Sequence, residues 1–238
     1  MHNSSLILIM AIALSKAQPS AMLEQALRGV RSISTLTCTM VRTQSFNGVR
    51  KTSRCDFFFD RQQGRRAYRY APPYEYMFTA DDSVFRGVNR KTGQGYSVTT
   101  AADASHYKAL LGSIDMTWPL LRLAGTDTLD LTLKASINDF LYFERPLDEG
   151  NEMIKVDRGR GAVVGIEWFD KNGNVRCQTT FDYDTTAGKK PLFPRRIAVK
   201  QNPTGIITVD TLMVSKVEIN KKLKESAFAV PEFKPIGR

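Results

Sequence analysis

Histidine and cysteine are scarce in this 238-residue chain, with two of the first and three of the second. His2 lies at the N-terminus, and His106 stands between Ser105 and Tyr107 in a stretch with helical spacing. Three cysteines and one internal histidine do not make a zinc site of ordinary spacing. Also missing are a G-x-S-x-G elbow, an H-E-x-x-H helix, a P-loop and a glycine-rich dinucleotide turn. The acidic pairs Asp81–Asp82 and Asp182/Asp184 have the composition of turns, where aspartate bonds its own backbone. No catalytic residue, metal ligand or cofactor is assigned, and the chain reads as a non-enzyme. Long apolar runs are missing too. Leu6–Leu14 is the longest such block, and a bilayer-spanning helix needs about 20 residues.

That short block has another use. It is followed by Ser15-Lys16-Ala17, which puts small residues where signal peptidase reads them, so residues 1–17 are expected to be a cleaved signal peptide. No cysteine follows to receive a lipid. An exported chain changes the meaning of its charge, 34 Lys and Arg against 24 Asp and Glu, net +10. With no zinc finger or RNP-type motif, nucleic acid is not an expected partner. The basic pairs Arg50–Lys51, Arg65–Arg66, Lys189–Lys190, Arg195–Arg196 and Lys221–Lys222 are scattered. They read as solvated faces, or as weak attraction to an anionic membrane surface.

Ser20 is expected to cap one amphipathic helix running to about Ser32, with Met22, Leu23, Ala26, Leu27 and Val30 on its apolar stripe. From Ser34 the period falls to two. Two alternating runs flank Asn47-Gly48, a tight hairpin signal. Further strands are expected at Arg66–Tyr70, Tyr74–Thr79, Ser83–Val88 and Tyr96–Thr99. Two short helices follow, one from Asp103 to Ile114 and one carrying Met116, Trp118, Leu120, Leu121 and Leu123. Strands return at Phe140–Arg145, Met153–Arg158, Val163–Phe169, Val175–Tyr183, Arg196–Gln201 and Ile206–Ile219. The absence of repeats and linkers makes 18–238 one expected domain, α+β, with a curved antiparallel sheet or partial barrel.

The hairpin places Leu36, Cys38 and Met40 on one face with Cys55, Phe57 and Phe59. These side chains are either core or the lining of a hole. A two-residue turn sets Met40 opposite Cys55 and leaves the thiols diagonal. A longer loop sets Cys38 opposite Cys55, near the limit a disulfide tolerates. Cys38–Cys55 is therefore a register-dependent candidate disulfide, and Cys177 a buried free thiol.

Several stretches in order resemble the LolA family of periplasmic lipoprotein carriers and sorting proteins: Val30–Leu36, Phe59-Asp60-Arg61, "RRAYRYAPP" (Arg65–Pro73), "FTADDSVFRGV" (Phe78–Val88) and "LKESAFAVPEF" (Leu223–Phe233), the last resembling a closing strand. The resemblance implies an unclosed half β-barrel whose concave face short helices cover. It implies a periplasmic protein, expected to be a monomer, that binds acyl chains of a lipoprotein or another lipid and passes them between membrane-bound donor and acceptor. The ligand would meet Leu36, Met40, Phe57, Phe59, Tyr68, Tyr70, Met116, Trp118, Leu120, Leu121 and Leu123, with the helix standing off the sheet. At Arg61 the resemblance implies a lid-locking arginine. Two other classes remain open: a lipid- or peptide-sensing regulatory domain on the same fold, and an envelope interaction protein with a filled core.

Overall fold

The computed structural model describes residues 19–46, 48–104, 118–184, 193–202 and 207–235. The expected signal peptide, His106, Met116, most of the first central helix and the Trp118 side chain lie outside the described residues.

Helix α1 spans Pro19–Arg31 and buries Leu23, Ala26, Leu27 and Val30. Pro19 lies inside its first turn, where a missing N–H is harmless, so Ser20 is a helical residue rather than the expected cap. Strands β1 (Thr35–Phe46) and β2 (Val49–Asp60) form the hairpin, with Phe46 opposite Val49 and Gly48 at φ 76°. Strands β3 (Arg65–Tyr70), β4 (Tyr76–Ala80), β5 (Val84–Asn89) and β6 (Gln94–Thr99) continue the meander. β4 starts later than its sequence pattern suggests because Tyr74 closes a turn, donating to the Ala71 carbonyl at 3.3 Å. After α2 (Trp118–Arg122) comes a second meander of β7 (Thr132–Ile137), β8 (Phe140–Leu147), β9 (Gly150–Asp157), β10 (Ala162–Asp170), β11 (Val175–Asp182), β12 (Arg196–Gln201) and β13 (Thr208–Ile219). β7 has no counterpart among the expected strands. It is a sheet edge with nearly every side chain exposed, so it lacks the alternation that marks a half-buried strand.

The two meanders become one 14-stranded sheet because β13 returns to pair with β1. Eight strand steps separate β3 from β8 in that sheet, about 38 Å if flat at ~4.8 Å per step. Yet Tyr68 of β3 and Leu141 and Phe143 of β8 belong to the same buried cluster. The sheet is therefore curved and unclosed. Its concave face holds the cluster, and α1 lies inside the curve against β9 and β10.

The stretch expected to be a closing strand is something else. Glu225–Ala227 is a 3-10 turn held by local bonds, and only Lys234–Pro235 (β14) joins the sheet, parallel to β6. Between them the chain straps the convex face. Ala227 and Phe228 pack on Ala67 with Phe58 and Leu223. The Arg65 guanidinium lies 4.3 Å from the Phe228 ring centre and pairs with Glu225 at 2.7 Å. Phe58, whose parity turns it away from the concave face, is accounted for by this contact.

Arg61 ties α1 to the sheet. Its Nε donates to the Ile33 carbonyl at 2.7 Å and a terminal nitrogen donates to the Val30 carbonyl at 2.9 Å. The Val30 carbonyl belongs to the last turn of α1, the end that favours a cation, and the Ile33 carbonyl lies just beyond it. Arg61→Ala is expected to lower unfolding stability by about 2 kcal/mol, the loss of two hydrogen bonds from a charged donor. A urea titration checks this, and an unchanged midpoint would mean that water satisfies those carbonyls equally well.

Candidate functional site

The register shows which side chains share the concave face. Leu36 is opposite Phe59, Cys38 opposite Phe57 and Met40 opposite Cys55; on the next strand Phe57 faces Tyr68 and Cys55 faces Tyr70. Leu36, Met40, Phe57, Phe59, Tyr68 and Tyr70 are thereby brought together, and Leu120, Leu121 and Leu123 join them in the same buried cluster. Leu120, Leu123, Leu36 and Phe57 are 0 % exposed. A side chain with no accessible surface has no water-sized void against it. The expected stand-off between helix and sheet is corrected on this point: around these residues the interior is packed.

Charged pairs sit inside this apolar face. Glu152 of β9 is 0 % exposed, directly opposite Arg145 of β8. It is in ion-pair contact with Arg145 at 2.8 Å and with Arg122, the last residue of α2. Neither contact has hydrogen-bond geometry at the carboxylate oxygens. Burial pulls the Arg122 guanidinium down to about 10, and the neighbouring Arg145 charge adds to this. Arg145 also donates to the Thr126 hydroxyl at 3.1 Å, and Arg31 of α1 donates to the Thr126 carbonyl at 2.8 Å. One polar network thus joins α1, α2 and the sheet. Sequence reading missed it because Arg122 lies well before the hairpin that pairs Arg145 with Glu152, and all three look like ordinary surface charges. A second buried pair, Arg42 with Asp210 at 3.0 Å, lies between β1 and β13.

Toward β6 the packing opens. An aromatic series crosses the strands on the concave face: Phe57–Tyr68 at 4.9 Å between centroids, Tyr70–Phe78 at 5.8 Å, Phe78–Phe85 at 5.9 Å and Phe85–Tyr96 at 6.0 Å. Phe78, Tyr96 and Val98 are only partly buried, and Tyr76 is exposed. Gly87 is needed here, since a Cβ would come within 2.8 Å of the Tyr96 ring. A cleft of about 270 Å³ adjoins this wing, lined by Arg42, Lys51, Tyr70, Tyr74, Tyr76 and Phe78 among others.

The hairpin forms with the tight turn, so Cys38 and Cys55 are diagonal, and both are free thiols. The candidate disulfide is not formed. Burial pushes the Cys55 thiol up to about 12, and Asp56 adds to it; burial raises Cys38 as well. Cys177 is partly buried and free. Among the described residues no group of His, Cys, Asp and Glu is placed to hold a metal ion, and no helix is long and apolar enough to cross a membrane. Asp81 accepts from the Ser83 and Val84 amides at 2.8 Å, while Asp182 and Asp184 pair with Arg196 and Arg195. All three carboxylates are thus engaged in turn or ion-pair contacts.

An unclosed, curved antiparallel sheet with short helices on its concave face defines the fold class. A LolA superfamily protein from Nitrosomonas europaea has it, with a TM-score of 0.59, 13% identity, and coverage of 88% of this chain and 96% of that one. A DUF1329 family protein from Desulfovibrio piger superposes with a TM-score of 0.60 at 11% identity, over 88% and 96% of the two chains. A domain assigned to outer membrane lipoprotein sorting from Vibrio parahaemolyticus gives 0.60 at 12% identity, over 87% and 95%. The chain therefore has the LolA-like fold. No family model matches the sequence, and no curated protein matches it.

Two outcomes follow. Glu152→Gln leaves two partly buried guanidiniums without their counter-charge, and a loss of about 3 kcal/mol is expected by chemical denaturation. A loss under about 0.5 kcal/mol would show the network to be solvated. In the native protein Cys38 and Cys55 are expected to resist alkylation at neutral pH, being buried and almost wholly protonated, and to react at once in denaturant. Rapid native labelling, read by mass spectrometry, would reveal that the hairpin opens.

Proposed function

We propose that this protein is an envelope lipid carrier with no catalytic role. It would take the acyl chains of a lipoprotein, or of another lipid, under α1 and α2 against the concave face. The observation that carries this reading is the face itself: a broad apolar and aromatic surface, interrupted by two sets of ion pairs, on an unclosed sheet, covered among the described residues by short helices. The superfamily and lipoprotein-sorting descriptions of similarly folded proteins support it. Export by residues 1–17, a periplasmic location, a single domain over 18–238, a monomeric state and transfer between a membrane-bound donor and acceptor belong to the same proposal. So does the role of Leu36, Met40, Phe57, Phe59, Tyr68, Tyr70, Leu120, Leu121 and Leu123 as chain-contacting residues, with Met116 and Trp118 outside the described side chains. Arg61 would hold α1 in place as the cover moves.

The packed interior is then the closed, unloaded state. Opening separates Leu120, Leu121 and Leu123 from the sheet, at about 1.5–3 kcal/mol each, while every acyl methylene buried returns ~0.8 kcal/mol. A chain of about a dozen methylenes is enough to offset the leucines, and the ligand shifts the equilibrium by its preference for the open form. The same packing favours a second reading, an envelope sensing or interaction domain with a permanently filled core.

Organic extraction and mass spectrometry of protein purified from its own envelope separates the two. Bound acyl lipid or a lipidated polypeptide, with an intact mass beginning at Gln18, is the expected result. A clean extract, together with no uptake of a fluorescent fatty acid by the purified protein, would leave the filled-core reading in its place.

A further inference from the structure

We infer that the cleft at the open end of β1, β2 and β4 is a head-group site for an anionic, phosphate-bearing lipid. The inference rests on the lipid-binding reading above and names the ligand class for it. The argument runs along the hairpin in register. Met40 and Cys55 are opposite and buried, and Tyr70 follows Cys55 across the next strand. One step outward Arg42 faces Ser53, and one step further Gln44 faces Lys51. At the tip Phe46 faces Val49, exposed at 48 % and 58 %. The concave face is thus apolar inside, cationic and hydroxyl-bearing in the middle, and apolar again at its outer end. That gradient matches an amphiphile drawn from a bilayer, with chains inward and head group at the cations. A free phosphate ion uses only the middle of it.

The charges narrow the head group. Asp210 grips Arg42 through both carboxylate oxygens, at 3.4 and 3.0 Å, so that guanidinium is already compensated and held in place. Burial works against its charge, but Asp210 outweighs this and keeps Arg42 ionised above its ordinary value. Lys51 is exposed and, among the described residues, has no carboxylate in salt-bridge range. The cleft therefore carries one uncompensated positive charge beside the hydroxyls of Ser53, Tyr74 and Tyr76. One phosphodiester supplies one negative charge and several acceptor oxygens for these donors. Aromatic walls alone would also suit a quaternary ammonium, but the uncompensated charge of Lys51 in the same cleft opposes it. A second cleft of about 410 Å³ shares Gln44 and Lys51 and continues to Phe46 and Val49, extending the groove to the tip.

The test is titration calorimetry of the whole mature protein with dioctanoyl-phosphatidylglycerol, dioctanoyl-phosphatidylcholine and inorganic phosphate, each monomeric in solution. Phosphatidylglycerol is expected to bind about tenfold more tightly than phosphatidylcholine. Lys51→Glu, on an exposed strand position and checked for native circular dichroism, should bring phosphatidylglycerol down to the phosphatidylcholine level. Equal binding of the two lipids by the unaltered protein overturns the head-group site while leaving lipid binding intact, and so does a preference that survives Lys51→Glu. Inorganic phosphate bound as tightly as phosphatidylglycerol overturns the lipid assignment in favour of a free-anion site. Binding of neither lipid removes the lipid-binding reading and this inference with it.

Discussion

Strand β1 is the constraint on which the rest depends. It is paired along its length on both edges, with β2 on one side and with β13 on the other. The first pairing is local, closed by a tight turn. The second joins residues as far apart as Leu36 and Ile219 and converts two separate meanders into one sheet. Without it the concave face would be two shallow halves, each with an exposed apolar edge. With it the face curls far enough for side chains of β3 and β8 to share one cluster. A register slip of one residue in β1 would turn Leu36, Cys38 and Met40 outward. The apolar alternation on both partners opposes that slip.

The interior combines two unlike materials. Most of it is dispersive packing, which in the proposed carrier an acyl chain would replace. The rest is the Glu152 network and the Arg42–Asp210 pair, which lipid cannot replace. Buried ion pairs contribute little net stability but are severely destabilising when broken. They therefore act more as position markers than as glue. Arg122 fixes where α2 ends, and Arg31 fixes how α1 meets the Thr126 loop. In the carrier proposed above, such a cover would exchange its apolar contacts for those of a ligand while these ion pairs keep its ends in place.

Much of this was legible in the sequence. Period-two alternation located β1 and β2 because one face is buried and the other wet, and the tight hairpin turn set the register that separated the cysteines. The α1 stripe was clear for the same reason. The edge strand β7 was not legible, since neither of its faces is buried enough to impose a pattern. The C-terminal segment was expected to be a strand because Leu223–Phe233 resembles a closing strand, whereas Ala227 and Phe228 pack on the far side of the first meander. Of the site, the apolar residues were visible individually, but their packing against α2 was not. The charged network was invisible, because nothing local distinguishes Glu152 from a surface glutamate. Lys51 drew notice only as one of many scattered charges; the register gave it a place beside Arg42 and the tyrosines.

The strap over the convex face has a consequence for assembly. Residues 223–235 back β2, β3 and β6 from outside, and they are the last described part of the chain to be made. Until they arrive, Phe58 and Ala67 present apolar surface to solvent on a half-built sheet whose inner strand also awaits β13. The convex face and the outer edge of the first hairpin are thus both completed late in the chain. Such distant pairings make for slow folding, and an incomplete chain exposes unsatisfied strand edges. A chain in that condition stays incompletely folded until residues 223–235 are present, which would suit the export proposed above.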